Sequence, residues 1–281
     1  MNKCTLVTVT LGLLLQAMPG SAQQSSGDGP NQEQRIIALK QKAASGEATA
    51  QVALGIAYAS GDGIQADEAE AVRWFRKAAE QSDADGEYSL GEMYAFGRGV
   101  PVDYAEAAKW LRKSAEQGDV RAEANLGVLY AKGQGVPKDD TEAAKWLRKA
   151  AEQGSALGQL SLGVMYAHGR GVPPDDAEAV KWYRKAMEQG DAPAMNNLAF
   201  LLATSRDAHV RNPNEAIAVA LKVVDLNPEQ PSYLDTLATA YYEAGRNEEA
   251  ADAESKALAL SPDNASYKNA LEKYRPSATK H

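Results

Sequence analysis

The sequence predicts an all-α protein, an α-solenoid of stacked antiparallel helix pairs, and three observations support this fold class. The chain contains four tryptophans, and each follows the previous one by 36 residues. A Leu-Gly pair and a Gly-x-Gly break recur with the same period. Apolar residues lie at helical spacing on both sides of each break. A period of this size is typical of solenoids, in which each unit contacts its neighbours along the chain.

Each copy is predicted to form two amphipathic helices with small residues where the helices meet. In the third copy, Ala122, Leu126 and Tyr130 share one face of the first helix, and Ala143 and Trp146 share one face of the second. Because the repeated residues keep one register, we predict that they pack the repeats together. The residues interpreted as structural are Trp74, Trp110, Trp146, Trp182, Gly91, Gly127 and Gly163.

The breaks between helices have their own chemistry. Glycine adopts the left-handed conformation that ends a helix, so each Gly-x-Gly is expected to close a first helix. The segments Asp139–Thr141 and Pro174–Asp176 offer side-chain oxygens that can cap the second helix. The first copy has Ile64-Gln65 where the later copies have Val-Pro, and its interhelix loop is therefore expected to differ.

The repeated residues resemble the Sel1-like repeat family. Its pattern runs Ala-x-x-x-Leu-Gly-x-x-Tyr, Gly-x-Gly-Val, Ala-x-x-Trp and Ala-Ala-x-x-Gly. The resemblance implies a right-handed solenoid. Its four copies cover residues 47–190, as 47–82, 83–118, 119–154 and 155–190.

After residue 190 the period changes to 34, and residues 191–264 resemble tetratricopeptide repeats. Residues 191–230 are interpreted as a hybrid copy with a long polar loop, Thr204–Pro213, and 231–264 as a second repeat. Capping helices are expected at 35–46 and 265–276, because the terminal faces of a solenoid need a cover. Residues 277–281 are expected to be a frayed tail.

The N-terminus has the pattern of a secretory signal peptide. Lys3 precedes the apolar run Leu6–Leu15, and small residues before Gln23 predict cleavage after Ala22. Residues 1–22 would then be removed, with the single cysteine, Cys4, and 23–34 would remain as a disordered leader. We expect a periplasmic or secreted protein without stable membrane insertion after cleavage, although retention as an uncleaved anchor was the alternative.

Composition argues against several function classes. A formal charge of −8 with scattered basic residues disfavours nucleic acid and anionic lipid as partners. The histidines His168, His209 and His281 lack metal-ligand spacing, and the Gly-x-Gly motifs lack the rest of a phosphate-binding loop. Helix capping explains the acidic pairs better than calcium binding. We therefore predict no cofactor, no metal and no catalytic site.

A partner surface is predicted from related tetratricopeptide architecture, in which first helices line a concave face. The positions two before, two after and six after each repeated Leu, with some at five after, vary between copies, as recognition residues do, although an unconstrained surface would vary as well. The aromatic members are expected to be exposed anchors. The predicted set is Tyr88, Glu92, Phe96, Val128, Lys132, Leu160, Val164, His168, Asn196, Phe200, Asp235 and Tyr242, with Ala124, Thr204, Thr239 and Glu243 in the same register.

These observations favour a non-enzymatic, monomeric adaptor or regulator of the cell envelope that binds a protein or peptide along its concave face. The resemblance supports this expectation, since bacterial Sel1-like proteins are similar to envelope scaffolds, inhibitors of sensor proteins and host-contact factors. The alternative is a cell-wall-associated factor that binds peptidoglycan or modulates a wall enzyme. An enzyme acting on wall fragments or β-lactams is the third and least favoured hypothesis.

Overall fold

The computed structural model describes residues 32–275, and within this range the chain is helical without strands. The predicted signal peptide, most of the predicted leader and the predicted tail lie outside the described residues. Residues 32–34, expected in the disordered leader, instead belong to the first helix. The fourteen helices are α1 Gln32–Ala44, α2 Ala48–Ser60, α3 Glu68–Ala79, α4 Ala84–Phe96, α5 Tyr104–Glu116, α6 Val120–Lys132, α7 Asp140–Glu152, α8 Ala156–His168, α9 Asp176–Glu188, α10 Ala192–Thr204, α11 Pro213–Leu226, α12 Pro231–Glu243, α13 Asn247–Leu260 and α14 Ala265–Tyr274.

The chain forms two compact units that divide between Trp146 and Leu147, inside α7. In unit 1, α1 packs on α2, and the pairs α2/α3 and α4/α5 follow one another. The second helix of each pair also contacts the next first helix, as α3 contacts α4 and α5 contacts α6. The first helices α2 and α4 touch as well. Unit 1 is thus a stack of helix pairs, as the period predicts.

Unit 2 repeats this arrangement with the pairs α8/α9, α10/α11 and α12/α13. The helix α9 contacts α10, α11 contacts α12, and the first helices α10 and α12 lie against each other. The last helix, α14, packs on α13 and covers its outer face. The all-α solenoid fold therefore holds in both units.

The loop between paired helices is held by a backbone contact that folds the chain back on itself. In the second copy, Gly97 ends α4 with a φ of 66°. The N–H of Asp103 then donates to the carbonyl of Tyr94 at 3.0 Å. The Asp103 carboxylate accepts from the N–H groups of Ala105 and Glu106 at 2.9 and 3.1 Å, which caps α5. One aspartate thus closes the loop and starts the next helix.

The caps expected in the third and fourth copies are confirmed. Asp139 accepts from the N–H groups of Thr141 and Glu142 at 2.9 Å each. Asp175 accepts from the N–H of Glu178 at 2.9 Å. Because each carboxylate lies at a helix N-terminus, the helix dipole also stabilises its charge.

The first interhelix loop keeps the main contacts of the later copies and differs in one hydrogen bond. The N–H of Asp62 donates to the Ser60 hydroxyl oxygen at 3.3 Å, whereas in the second copy the N–H of Arg98 donates to the Met93 carbonyl at 3.0 Å. Gly61 ends α2 with a φ of 77°, and the N–H of Asp67 donates to the carbonyl of Tyr58 at 2.9 Å. The Asp67 carboxylate caps α3 by accepting from the N–H of Glu70 at 3.0 Å. The first copy thus retains the glycine that ends its first helix and the aspartate that starts its second, with Ile64-Gln65 in place of Val-Pro.

Candidate functional site

The repeated tryptophans are used for packing inside the stack. Trp110 is 7% exposed and belongs to a core cluster with Phe75 of α3 and Leu90 of α4. Its indole N–H donates to the Glu106 carboxylate at 3.1 Å. Trp74 is half-buried against the α1–α2 core. Trp146 and Trp182 are buried as well, so the tryptophans offer little surface to a ligand.

The glycine of each Leu-Gly pair is a close-approach position. A Cβ on Gly91 would lie 2.8 Å from Cγ of Leu111, and one on Gly163 would lie 2.6 Å from the ring of Tyr183. Gly127 is buried in α6. Because a methyl group has no room at Gly91 and Gly163, only glycine lets the second helix lie this close to the first.

An arginine on the second helix joins each of three repeats to the next. Arg148 Nη2 donates to the Tyr166 hydroxyl at 2.7 Å, and Arg76 Nη2 donates to the Tyr94 hydroxyl at 2.6 Å. Arg112 makes the same contact with Tyr130. Each guanidinium also lies 5.5 to 5.8 Å from the centroid of the ring it bonds. This Arg·Tyr contact is part of the repeat, because it recurs with the same separation of 18 residues.

A buried amide or carboxyl group near the start of the first helix is also satisfied within its own repeat. Gln81 donates to Gln51 at 2.8 Å, and Gln189 donates to Gln159 at 2.8 Å. Glu87 is 1% exposed and accepts from the Gln117 side chain at 2.7 Å. Burial raises the pKa of Glu87, and the hydrogen bond partly offsets this effect. The repeated polar residues are therefore used internally, like the tryptophans.

The residues that vary between copies lie on the first helices, a surface we call the first-helix face. In unit 1 it holds Tyr88, Glu92 and Phe96 on α4, all half-buried, and Lys132 at the end of α6, which is exposed. Val128 is only 4% exposed. The prediction that Val128 faces an open groove is therefore wrong, because the Val128 side chain is one of the buried side chains of α6.

Tyr88 and Glu92 belong to a local network of charges. The Tyr88 hydroxyl donates to the Glu92 carboxylate, and the Arg121 guanidinium lies 4.2 Å from the Tyr88 ring centroid. Arg121 also pairs with Asp85 and Asp119. Tyr88 is therefore held between a carboxylate and a cation, and the expectation of an exposed aromatic anchor is wrong at this position.

The electrostatics of this network follow from partial burial. Burial raises the pKa of Glu92, although the Tyr88 hydrogen bond and the Arg121 and Arg98 charges lower it. Burial and the Glu92 charge both raise the pKa of Tyr88 above its usual range, so the phenol stays protonated. Glu92 is therefore a poorly solvated carboxylate on the first-helix face of unit 1, and a further cation or hydrogen-bond donor would stabilise its charge.

Ile56 on α2 was not among the predicted recognition residues. Ile56 lies two residues after Leu54, the same register that holds Glu92 in α4 and Val128 in α6. Its side chain is 50% exposed, so it belongs to the few large apolar side chains of the described residues that are open to solvent. Extending the register to the first copy would have found it.

In unit 2 the first-helix face is less open than predicted. Leu160, Val164 and Asn196 are 4%, 7% and 5% exposed, so the prediction that they line an open groove is wrong. Phe200 is half-buried, which also contradicts its expected exposure. His168 is exposed at the end of α8, and burial together with Arg170 lowers its pKa.

The C-terminal part of this face contains Asp235 and Tyr242, both half-buried on α12. The Tyr242 ring lies 4.8 Å from the Tyr274 ring, centroid to centroid, and Lys273 Nζ lies 4.0 Å from the Tyr242 centroid. Asp235 lies next to the fully buried Glu254 of α13. Burial raises the pKa of Asp235 to about 6. Tyr242 is thus covered by α14 and does not form the exposed anchor that was expected.

The repeats described above match a known family of repeat proteins. The model of the family described as "Sel1 repeat" matches residues 48–83, 84–119, 120–155, 156–191 and 192–218, which together cover more than half of the chain. This chain belongs to the Sel1 repeat family. The fifth match extends the Sel1 pattern into α10 and the start of α11, a segment interpreted from the sequence as a hybrid copy. No curated protein matches the chain.

Solved structures support the same family and fold. A Sel1 repeat protein from Oxalobacter formigenes is 29% identical, with a TM-score of 0.65, over 87% of this chain and 94% of that one. The protective antigen c5321 of uropathogenic Escherichia coli, which displays an SLR fold, is 31% identical with a TM-score of 0.58. That match covers 86% of this chain but 59% of c5321. YrrB, a TPR protein with an unusual peptide-binding site, is 19% identical with a TM-score of 0.54, over 70% of this chain and 97% of that one. At this identity YrrB is evidence for the fold alone.

Sel1 repeat proteins generally mediate protein–protein interactions as non-catalytic scaffolds. Within residues 32–275, no three His, Cys, Asp or Glu side chains are grouped so that they could hold a metal ion. His168 and His209 lie far apart in sequence, on α8 and in the α10–α11 loop, and His281 lies outside the described residues. Among the described helices, each 10 to 14 residues long, none combines the length and the apolar character needed to cross a membrane.

Proposed function

We propose that this Sel1 repeat protein is a non-enzymatic adaptor or regulator of the cell envelope that binds a protein or peptide segment along its first-helix face. Ile56 carries the proposal, because this large apolar side chain is 50% exposed in a register that other copies fill with different residues. The repeated tryptophans, glycines and Arg·Tyr contacts are engaged in internal packing. On the first-helix face, Ile56 is exposed and Glu92 and Phe96 are partly exposed, and these residues are the candidates for recognition.

The chemistry of unit 1 indicates what kind of segment would bind. Ile56 offers apolar surface, Phe96 adds a half-buried ring, and Glu92 is a carboxylate whose raised pKa reflects poor solvation. A partner segment with an apolar side chain next to a hydrogen-bond donor or cation would satisfy both kinds of group. Burial of the Ile56 side chain on binding would itself contribute about 1–2 kcal/mol.

A crosslinking pull-down from native envelopes tests this surface with two matched variants. Ile56→Glu places a charge on the first-helix face, whereas Val102→Glu places the same charge at another exposed apolar residue, 55% exposed, in the α4–α5 loop. We expect a partner protein that wild type and Val102→Glu capture and Ile56→Glu does not. Equal capture by all three would contradict the proposed face. Recovery of peptidoglycan alone, independent of Ile56, would favour a wall-binding role instead.

Envelope location is a separate part of the proposal, and the pattern of residues 1–22 supports it. Cleavage after Ala22 would leave Gln23 at the N-terminus of the mature protein. Intact-mass measurement of protein recovered from the periplasm and from the cytoplasm tests this directly. We expect the periplasmic form to begin at Gln23, and a full-length cytoplasmic form alone would contradict the proposed location.

A further inference from the structure

The Arg·Tyr contact is incomplete at two places in unit 2. Arg184 occupies the register of the joining arginine on α9, but α10 holds the buried Leu202 where other first helices hold tyrosine. Arg184 pairs instead with Glu215 at 2.7 Å. The opposite loss occurs one pair later, where α12 keeps the tyrosine as Tyr241. On α11, Leu221 lies six residues after Glu215, as Arg184 lies six residues after Glu178, so it takes the arginine position of the second helix, although it precedes Tyr241 by 20 residues instead of 18.

A cleft lies between α11, α12 and α13 and is lined by Leu221 and Tyr241. Its volume is about 290 Å³, near the lower end of the range of small-molecule pockets, about 300–1,000 Å³, and suited to one long side chain. Leu221 is 41% exposed at its mouth. The apolar walls are formed by Leu221, Val224, Leu234, Leu237 and the ring of Tyr241.

Charged side chains of α13 form the rim of this cleft. Glu249 is held by Arg246, whose guanidinium lies 4.7 Å from the Tyr241 ring centroid. Asp252 and Lys256 complete the rim, and neither forms an ion pair within the described range. No described side chain donates to the Tyr241 hydroxyl. The cleft therefore offers a hydroxyl acceptor and an unpaired carboxylate above an apolar wall.

We propose that this cleft binds an arginine side chain of a partner protein, which supplies from outside the contact that Arg76, Arg112 and Arg148 make within the chain. The methylene groups of arginine would lie along Leu221 and Leu234, and the guanidinium would donate to the Tyr241 hydroxyl and pair with Asp252. Lysine fits less well, because its compact ammonium is more strongly hydrated and does not stack on a ring as guanidinium does. This surface is separate from the first-helix face, so it would add a second point of attachment.

Titration of the full chain with N-acetyl-arginine amide, followed by amide NMR shifts, tests the inference. The key variant is Leu221→Arg, which places an arginine in the cleft from within the chain, in the register where other repeats carry one. Leu226→Arg is the matched control, since Leu226 lies on the same helix, is 56% exposed and does not line the cleft.

We expect shifts at the amides of α11, α12 and α13 in wild type and in Leu226→Arg, and none in Leu221→Arg. Tyr241→Phe should weaken the binding about fivefold, the loss of one hydrogen bond of about 1 kcal/mol. N-acetyl-leucine amide should bind more weakly than the arginine probe. Equal binding of the leucine probe, or unchanged arginine binding by a folded Leu221→Arg, would overturn the proposal.

Discussion

The buried carboxyl group of Glu254 makes the stability of the C-terminal helices depend on pH. Glu254 lies on α13 and is 0% exposed. Burial first, and the neighbouring Asp235 carboxylate second, raise its pKa from 4.5 to about 8. Tyr274 of α14, whose pKa is raised to about 12 mainly by burial, stays uncharged at neutral pH and adds no charge to the pair.

The sign of the effect follows from proton linkage. Between pH 4.5 and 8, folded Glu254 keeps a proton that the unfolded chain has released, so stability falls as pH rises and levels off above pH 8. One pKa unit corresponds to about 1.4 kcal/mol, so the full loss is at most about 5 kcal/mol. Asp235, with its pKa raised to about 6, adds a loss of the same sign below that pH.

Hydrogen exchange of α13 and α14, corrected for intrinsic exchange rates and measured at pH 5, 7 and 9, provides the assay. Wild-type protection should fall from pH 5 to pH 9, and Glu254→Gln, which keeps the size and removes the titrating group, should flatten most of that fall. Glu249→Gln is the control on the same helix, because Arg246 lowers the pKa of this exposed carboxyl instead. A Glu254→Gln variant with the wild-type pH profile would refute the reasoning.

Two further predictions concern packing in unit 1. Trp110→Ala should cost about 3–5 kcal/mol in urea unfolding, because a buried indole leaves a cavity; the half-exposed Trp74→Ala should cost less, and the reverse order would contradict the packing described. Gly91→Ala should cost about 1–3 kcal/mol, since the new methyl group would meet the side chain of Leu111. Leu111→Ala should relieve part of that cost in the double variant, and strictly additive losses would show that the two residues do not collide.

The fold could be predicted from the sequence because the residues that pack the repeats recur in several copies. Trp110, Gly91 and Asp103 each have counterparts 36 residues away, and a repeated residue identifies a repeated role. The absence of Val-Pro predicted a different first loop, and the structure shows a difference only in the hydrogen bond of Asp62, because Gly61 and Asp67 keep the contacts of the later copies. The glycine and the aspartate were present in the sequence, but their dominance over the loop residues became clear only from the backbone contacts.

The candidate surface could be predicted only in part, because register gives the direction of a side chain but not how closely neighbouring helices approach it. Val128 and Leu160 occupy the register positions expected to be open, but their side chains are buried. The ring of Tyr88 lies against Arg121, which is 33 residues away in sequence, and the repeat pattern does not predict that contact. Ile56, in contrast, could have been predicted by applying the same register to the first copy.

The uniform separation of 18 residues in the Arg·Tyr contact makes the length of this protein adjustable in whole steps. Removal of residues 84–119 would leave Arg76 eighteen residues before Tyr130, the same separation that now joins it to Tyr94. The new junction would then match in its chemistry, whereas a deletion that is not a multiple of 36 residues would misalign arginine and tyrosine. Genetic gain or loss of complete repeats is therefore a route by which relatives of different length can arise without redesign of the remaining interfaces.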